Sequence, residues 1–177
     1  MILLFNKPYG VISQFTPVKN YESLSHYIPF KNIYPAGRLD TDSEGLMILT
    51  DNGRFQNKIS NPNNNIYKTY WVQVENIPDD DSLERLRQGI QFQEYLTKPA
   101  FIKRIEDPNI WERIPPIRVR KKIPTCWIEI KICEGKNRQI RKMTAAISHP
   151  TLRLLRVAIG DYNLDKITLG QYLVIEP

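Results

Sequence analysis

Cysteine and histidine are scarce: the 177 residues hold two of each. Cys126 and Cys133 lie in one alternating run, Thr125-Cys126-Trp127-Ile128-Glu129-Ile130-Lys131-Ile132-Cys133, and their odd separation puts them on opposite faces of a strand. That argues against an intrachain disulfide, and two cysteines with two distant histidines make no zinc pattern. Reduced, buried thiols are expected, and His26 and His149 receive no chemical role. Long apolar runs are missing as well. Stretches such as Gly45-Leu46-Met47-Ile48-Leu49 fall far short of a membrane span, and the amino terminus lacks a basic region leading into an apolar segment and a cleavage site. The expectation is a soluble cytoplasmic protein with no membrane partner. A glycine-rich phosphate loop and a regular βαβ alternation are also missing, which excludes a dinucleotide fold. No repeat or low-complexity segment is present.

What the chain has is positive charge, a formal +6, on an otherwise ordinary globular composition of 41% hydrophobic and 25% charged residues. Such a bias attracts polyanions and makes nucleic acid the first partner to test, while saying nothing about fold. The length suits one domain, with room for two lobes.

Apolar runs at Ile2 to Phe5 and Val11 to Phe15, around Asn6-Lys7-Pro8-Tyr9-Gly10, predict strand, turn, strand. A short helix is expected over Tyr21 to Tyr27 and a short strand over Ile33 to Ala36. A further strand over Gly45 to Thr50 should close at the turn Asp51-Asn52-Gly53. Tyr67 to Glu75 alternates, with Lys68, Tyr70, Val72 and Val74 sharing one face. Asp79-Asp80-Asp81 opens a helix with Leu83 and Leu86 inward and Gly89 near its end. Pro108, Pro115, Pro116 and Pro124 break a stretch holding Arg113, Arg118, Arg120, Lys121 and Lys122, which predicts a mobile basic arm or hairpin. After the strand at Cys126 to Cys133, a helix should place Ile140, Met143, Thr144 and Ile147 on one face and stop at His149-Pro150. Leu152 to Ile159 and Tyr172 to Ile175 supply closing strands. The fold class is therefore α+β, a mixed but mainly antiparallel sheet with flanking helices.

The most unusual segment is Gly37-Arg38-Leu39-Asp40-Thr41-Asp42-Ser43-Glu44-Gly45-Leu46, a turn with acids at alternate positions running into an apolar strand. Asp40, Asp42, Glu44 and Gly45 match the first half of a calcium loop, but such a loop needs a helix on each side. The competing reading makes one carboxylate catalytic; the plainer one has the acids bonding nearby amides. A second constellation, Glu134-Gly135-Lys136-Asn137-Arg138-Gln139-Ile140-Arg141-Lys142-Met143, gathers Lys136, Arg138, Arg141 and Lys142 around a helix start, suited either to phosphates or to a solvated face. Lys68 and Tyr70 could serve a phosphate and a base, or form ordinary sheet surface.

Together these motifs resemble the RsuA family of pseudouridine synthases, in order and over nearly the whole chain. The resemblance rests on Asn6-Lys7-Pro8-Tyr9-Gly10, on the segment from Gly37 to Leu46 with Leu49-Thr50-Asp51-Asn52-Gly53 behind it, on Lys68-Thr69-Tyr70, and on Glu134 to Met143. Pro115-Pro116-Ile117-Arg118-Val119-Arg120-Lys121 and Pro150-Thr151-Leu152-Arg153-Leu154 look most like the branch that modifies large-subunit ribosomal RNA. The resemblance implies a single catalytic domain over residues 1–177, with a central active-site cleft and no separate RNA-binding domain before it. It also implies isomerisation of a uridine in ribosomal RNA without metal or cofactor, and a monomer is the default expectation. It makes Asp40 the catalytic carboxylate, paired with Arg141, with Tyr70 stacking on the target base and Ile140 lining its pocket. Arg38, Arg118, Arg120, Lys136, Arg138 and Lys142 are expected against RNA. The alternative is a non-catalytic RNA-binding module of the same fold.

Overall fold

A computed structural model describes residues 1–176 and divides into two units, Met1–Ile66 with Leu155–Pro177 and Tyr67–Leu154. In the first, β1 (Ile2–Lys7) is buried at every position. It pairs antiparallel on one side with β3 (Glu44–Thr50), Ile2 opposite Thr50 and Lys7 opposite Gly45. On its other side lies β9 (Tyr172–Ile175), Ile2 opposite Ile175. A strand enclosed in this way reads as a continuous apolar run rather than an alternating one. The two-residue β2 (Tyr34–Pro35) adds to β3. β7 (Thr151–Ile159) supplies the parallel contact that makes the sheet mixed, Glu44 opposite Leu155 and Gly45 opposite Arg156. The short β8 (Tyr162–Asn163) folds back on β7. Leu3, Phe5, Val11, Leu24, Met47 and Leu49 centre this unit's core.

The second unit carries β4 (Lys68–Glu75), β5 (Phe101–Ile105) and β6 (Thr125–Ile132) in the order β5-β6-β4, all antiparallel. Tyr70, Val72 and Val74 point inward as their alternation requires, against Ile128, Ile130 and Ile132 of β6. Two helices complete that core. α2 (Asp80–Gln88) starts where the Asp79 carboxylate accepts from the Ser82 N–H at 2.8 Å, carries Asp80 and Asp81 in its first turn, and buries Leu83 and Leu86. α3 (Gln139–Ala146) buries Ile140, Met143 and Thr144.

Several expectations are corrected. Val11 to Phe15 forms no strand beyond a single bridge between Val11 and Glu22. Its polar groups are taken by loops instead: the Ile12 N–H donates to the Glu22 carbonyl, and Ser13 Oγ binds Leu39. Only Leu24–His26 of the expected helix forms, as one 3-10 turn. β3 ends at Thr50 as expected, but the Asp51-Asn52-Gly53 turn leads directly into a helix that was not expected. Asn52 Oδ1 accepts from the Arg54 and Phe55 N–H groups and opens α1 (Gly53–Ser60). β5 was not anticipated, because Ile102 is its one fully buried residue and leaves little periodicity to read. Residues 106–124 contain neither helix nor strand, so no hairpin forms. Arg113 Nη1 donates to the Leu152 carbonyl and Arg153 Nη2 to that of Trp111, which fastens the start of this basic loop to β7. Both cysteines are free and half-buried rather than fully buried.

Candidate active site

The loop carrying Asp40 is held by its backbone, residue after residue, within the first unit. Ser13 Oγ accepts from the Leu39 N–H at 3.1 Å and donates to the Leu39 carbonyl. Arg156, only 4% exposed, donates through Nε to the Leu46 carbonyl at 2.9 Å and through Nη1 to that of Arg38 at 3.4 Å. The Thr41 carbonyl accepts from the Gly10 N–H at 2.8 Å and from Lys7 Nζ at 3.4 Å. The Ser43 N–H closes the turn on the Asp40 carbonyl at 3.0 Å. Buried partners thus fix the path from Arg38 to Ser43. The Asp40 side chain is left half-buried and that of Arg38 exposed.

Lys7 is the least expected member of this arrangement. It is fully buried, and its ammonium also donates to the Pro8 and Val11 carbonyls at 2.8 and 2.7 Å. Burial pushes its pKa down to about 7; Glu44, Asp42 and Asp40 pull it upward, and Arg156 lowers it further. The motif Asn6-Lys7-Pro8-Tyr9-Gly10 was legible as a pattern, but nothing in it says that the lysine points inward. Glu44 is likewise 1% exposed. It opens β3, so the acid run leads into a strand and the calcium-loop geometry of two flanking helices is not present.

Gly45 explains how the loop joins the sheet. Its φ is +105°, and a Cβ there would sit 2.2 Å from the Arg156 carbonyl oxygen. Only a residue without a side chain allows β3 and β7 to approach this closely.

In the second unit, Tyr70 and Ile140 both belong to the apolar core, 8% and 4% exposed. Arg141 follows Ile140 on α3 and is half-buried. The approach to α3 is organised by a buried polar pair to which no role was given from sequence. Glu134 Oε1 accepts from the Lys98 N–H at 2.7 Å and from Gln139 Nε2 at 2.8 Å, while Gln139 Oε1 accepts from the Lys136 N–H at 3.1 Å. Arg138 adopts the left-handed conformation immediately before the helix, φ +52°. Lys136, Arg138 and Lys142 are exposed, and Lys136 Nζ lies 5.7 Å from the Tyr95 ring centroid. Arg118 and Arg120 are exposed on the basic loop, where Arg120 Nε lies 3.8 Å from Glu75 Oε1. Both histidines bond backbone: His26 Nδ1 accepts from the Ser23 N–H, and His149 Nδ1 lies 2.8 Å from the Glu75 carbonyl.

The chain has counterparts among known proteins over nearly its whole length. Residues 1–146 match the model of the RNA pseudouridylate synthase family. The ribosomal large subunit pseudouridine synthase E of Vibrio parahaemolyticus is 49% identical over 175 residues, covering 99% of this chain and 74% of that one. Its namesake from Xanthomonas campestris pv. campestris is 48% identical over 179 residues, covering 98% and 95%. A crystal structure of a pseudouridylate synthase shares the fold, with a TM-score of 0.81 at 24% identity over 99% of this chain and 70% of that one. The chain belongs to the RNA pseudouridylate synthase family. Its α+β architecture, with a mixed sheet and helices α1 to α3, is that family's fold. No helix among the described residues is long and apolar enough to cross a membrane.

Proposed function

We propose that this chain converts a uridine of large-subunit ribosomal RNA to pseudouridine, with the Asp40 carboxylate acting on the ribose and with no metal or cofactor. The observation that carries the reading is the loop itself: a half-buried carboxylate on a backbone held at Arg38, Leu39 and Thr41 by Arg156, Ser13, Gly10 and Lys7. The family membership of the chain and the names of its relatives, ribosomal large subunit pseudouridine synthases, support the substrate.

The reaction breaks the bond from ribose C1′ to uracil N1, turns the base, and joins C1′ to C5. The proton displaced from C5 ends on N1, so atoms and electrons balance without a co-reactant. An ionised carboxylate can attack C1′ or remove a proton from the sugar, and both routes need a rigidly placed oxygen. Tyr70 stacks on the extruded base, a contact worth roughly 1–3 kcal/mol against the few kcal/mol needed to unstack it. Ile140 lines the pocket for that base, and Arg141 keeps the role that the family resemblance gives it. Arg38, Arg118, Arg120, Lys136, Arg138 and Lys142 bind phosphates. The protein acts as a monomer in the cytoplasm.

The test is pseudouridine mapping of ribosomal RNA transcripts and ribosomal particles incubated with wild type and with Asp40→Asn, without added metal or nucleotide. A uridine converted by wild type alone is the expected result. RNA binding without conversion in either substrate would support the non-catalytic module instead.

A further inference from the structure

The inward face of the second unit's sheet is covered by α2 and α3, but its outward face carries an exposed group of aromatic and basic side chains. Tyr70, Val72 and Val74 point to the core, so Thr69 and Trp71 of β4 point away from it. By the same alternation Glu129 and Lys131 of β6, and Phe101 and Lys103 of β5, share that outer face. The register sets them in rows, Phe101 opposite Lys131 and Lys131 opposite Thr69, then Lys103 opposite Glu129 and Glu129 opposite Trp71. Tyr67, just before β4, reaches the first row. Its ring centroid lies 5.8 Å from that of Phe101, and Lys131 Nζ sits 5.4 Å from the one and 5.9 Å from the other.

Isolated exposed apolar residues are normal on a protein surface. A phenylalanine 63% exposed on an edge strand, touching a tyrosine 37% exposed and topped by a lysine, is a cluster. The acid on this face is already engaged: Glu129 lies 3.5 Å from Lys103 Nζ and accepts from Trp71 Nε1 at 3.3 Å. No described ion pair engages Lys131. Aromatic rings beside a cation outside the described ion pairs, on an open sheet, suit unpaired nucleotides, whose bases stack while the cation meets the backbone. A protein partner suits it less well, because interface cores are depleted in lysine.

We propose that this outer face of β5, β6 and β4 is an RNA-binding site for unpaired nucleotides, with a base stacked on the exposed side of Phe101 and Lys131 against the neighbouring phosphate. Tyr67 and Phe101 already touch, so the base lies on the pair rather than between its rings. The proposal extends the functional reading above, since the strand held here is then one that flanks the modified uridine.

The experiment compares wild type, Phe101→Ala and Lys131→Gln in two assays, fluorescence anisotropy with a short labelled oligouridine and pseudouridine formation on ribosomal RNA transcripts. Because Phe101 and Lys131 are exposed, all these proteins should melt alike. Phe101→Ala should weaken oligouridine binding at least about fivefold. Lys131→Gln should reduce the slope of log affinity against log salt by about one. Equal affinity and equal salt slope for all the proteins would overturn the proposal, as would sedimentation showing that Phe101 mediates self-association while oligouridine does not bind. Conversion by wild type with no binding defect in the variants would remove this site and leave the function standing. A Phe101-dependent affinity with no conversion by wild type would do the reverse.

Discussion

Replacing Gly45 with alanine tests whether the loop bearing Asp40 depends on the close parallel approach of β3 and β7. Two separate costs follow from the structure. The backbone φ of +105° is one that an L-residue rarely adopts, which costs about 1–3 kcal/mol. The added methyl would also lie 2.2 Å from the Arg156 oxygen, 2.9 Å from its nitrogen and 3.0 Å from its carbonyl carbon. These are backbone atoms, so the strands themselves must part, and overpacking of this kind costs about 1–3 kcal/mol. The sum, roughly 2–6 kcal/mol, is a large share of a typical folding free energy of about 5–15 kcal/mol. It corresponds to a fall in Tm of roughly 5–20 °C. Gly53→Ala is the matched control. Gly53 begins α1, has no positive φ, and a Cβ there meets nothing within 4 Å, so alanine should be neutral or stabilising by up to about 1 kcal/mol. Urea unfolding of both variants beside wild type measures the difference directly. If Gly45→Ala proved as stable as Gly53→Ala, the steric argument would be wrong. A stable Gly45→Ala protein with full activity would also remove the link between this strand contact and the placement of Asp40.

Asn52→Ala should cost about 1 kcal/mol, because two N–H groups at the start of α1 lose their acceptor; a loss below a few tenths in urea unfolding would mean that water replaces the cap without penalty. Lys7 predicts a pH dependence. Its folded pKa of about 7 lies below the ordinary 10.5, so between those values the unfolded chain keeps a proton that the folded chain has shed. Stability should therefore rise with pH through that window, by an amount on the order of a few kcal/mol, with the burial cost fully present below pH 7. Tyr27, raised to about 12 chiefly by burial and held by Glu22, acts in the opposite sense only above pH 10, and the Cys126 thiol, raised by burial from 9.0, does so from about pH 9, so urea midpoints between pH 6.5 and 8.5 isolate the lysine. A flat profile there, or one unchanged in Lys7→Met, would show that the lysine stays charged in the fold.

The elements most legible in the sequence were those whose burial follows one simple pattern. Tyr70, Val72 and Val74 alternate against solvent-facing neighbours, and Leu83 and Leu86 mark the inward side of α2 behind an acidic start. The Asp40 loop was conspicuous because acids at alternate positions in a turn are rare. Less legible were the groups that hold that loop. Lys7 follows an apolar run and Arg156 interrupts one, and a linear pattern does not tell an inward-pointing cation from an outward one. Their partners on that loop are backbone carbonyls distant in sequence, which carry no signature in residue type. Val11 to Phe15 misled for a related reason. An apolar run of that length can bury itself as a loop once Ser13 and the Ile12 N–H find partners elsewhere. The helix at Gly53 was hidden because Asp-Asn-Gly is equally at home in a turn and before a helix. Within α1 only Ile59 is fully buried, too little to reveal a helical period.

The first unit is interrupted in sequence by the second, and this bears on the order in which the chain can mature as it is synthesised. β1 receives its neighbour β9 only from residues 172–175, and the Arg38 carbonyl receives its guanidinium only from Arg156. A chain that ends at residue 154 holds every residue of the second unit. It also holds Asp40, Lys7, Gly10 and Ser13, but neither Arg156 nor the strand that closes over β1. The contacts that fix the carboxylate's loop are therefore complete only once residue 156 has joined the fold.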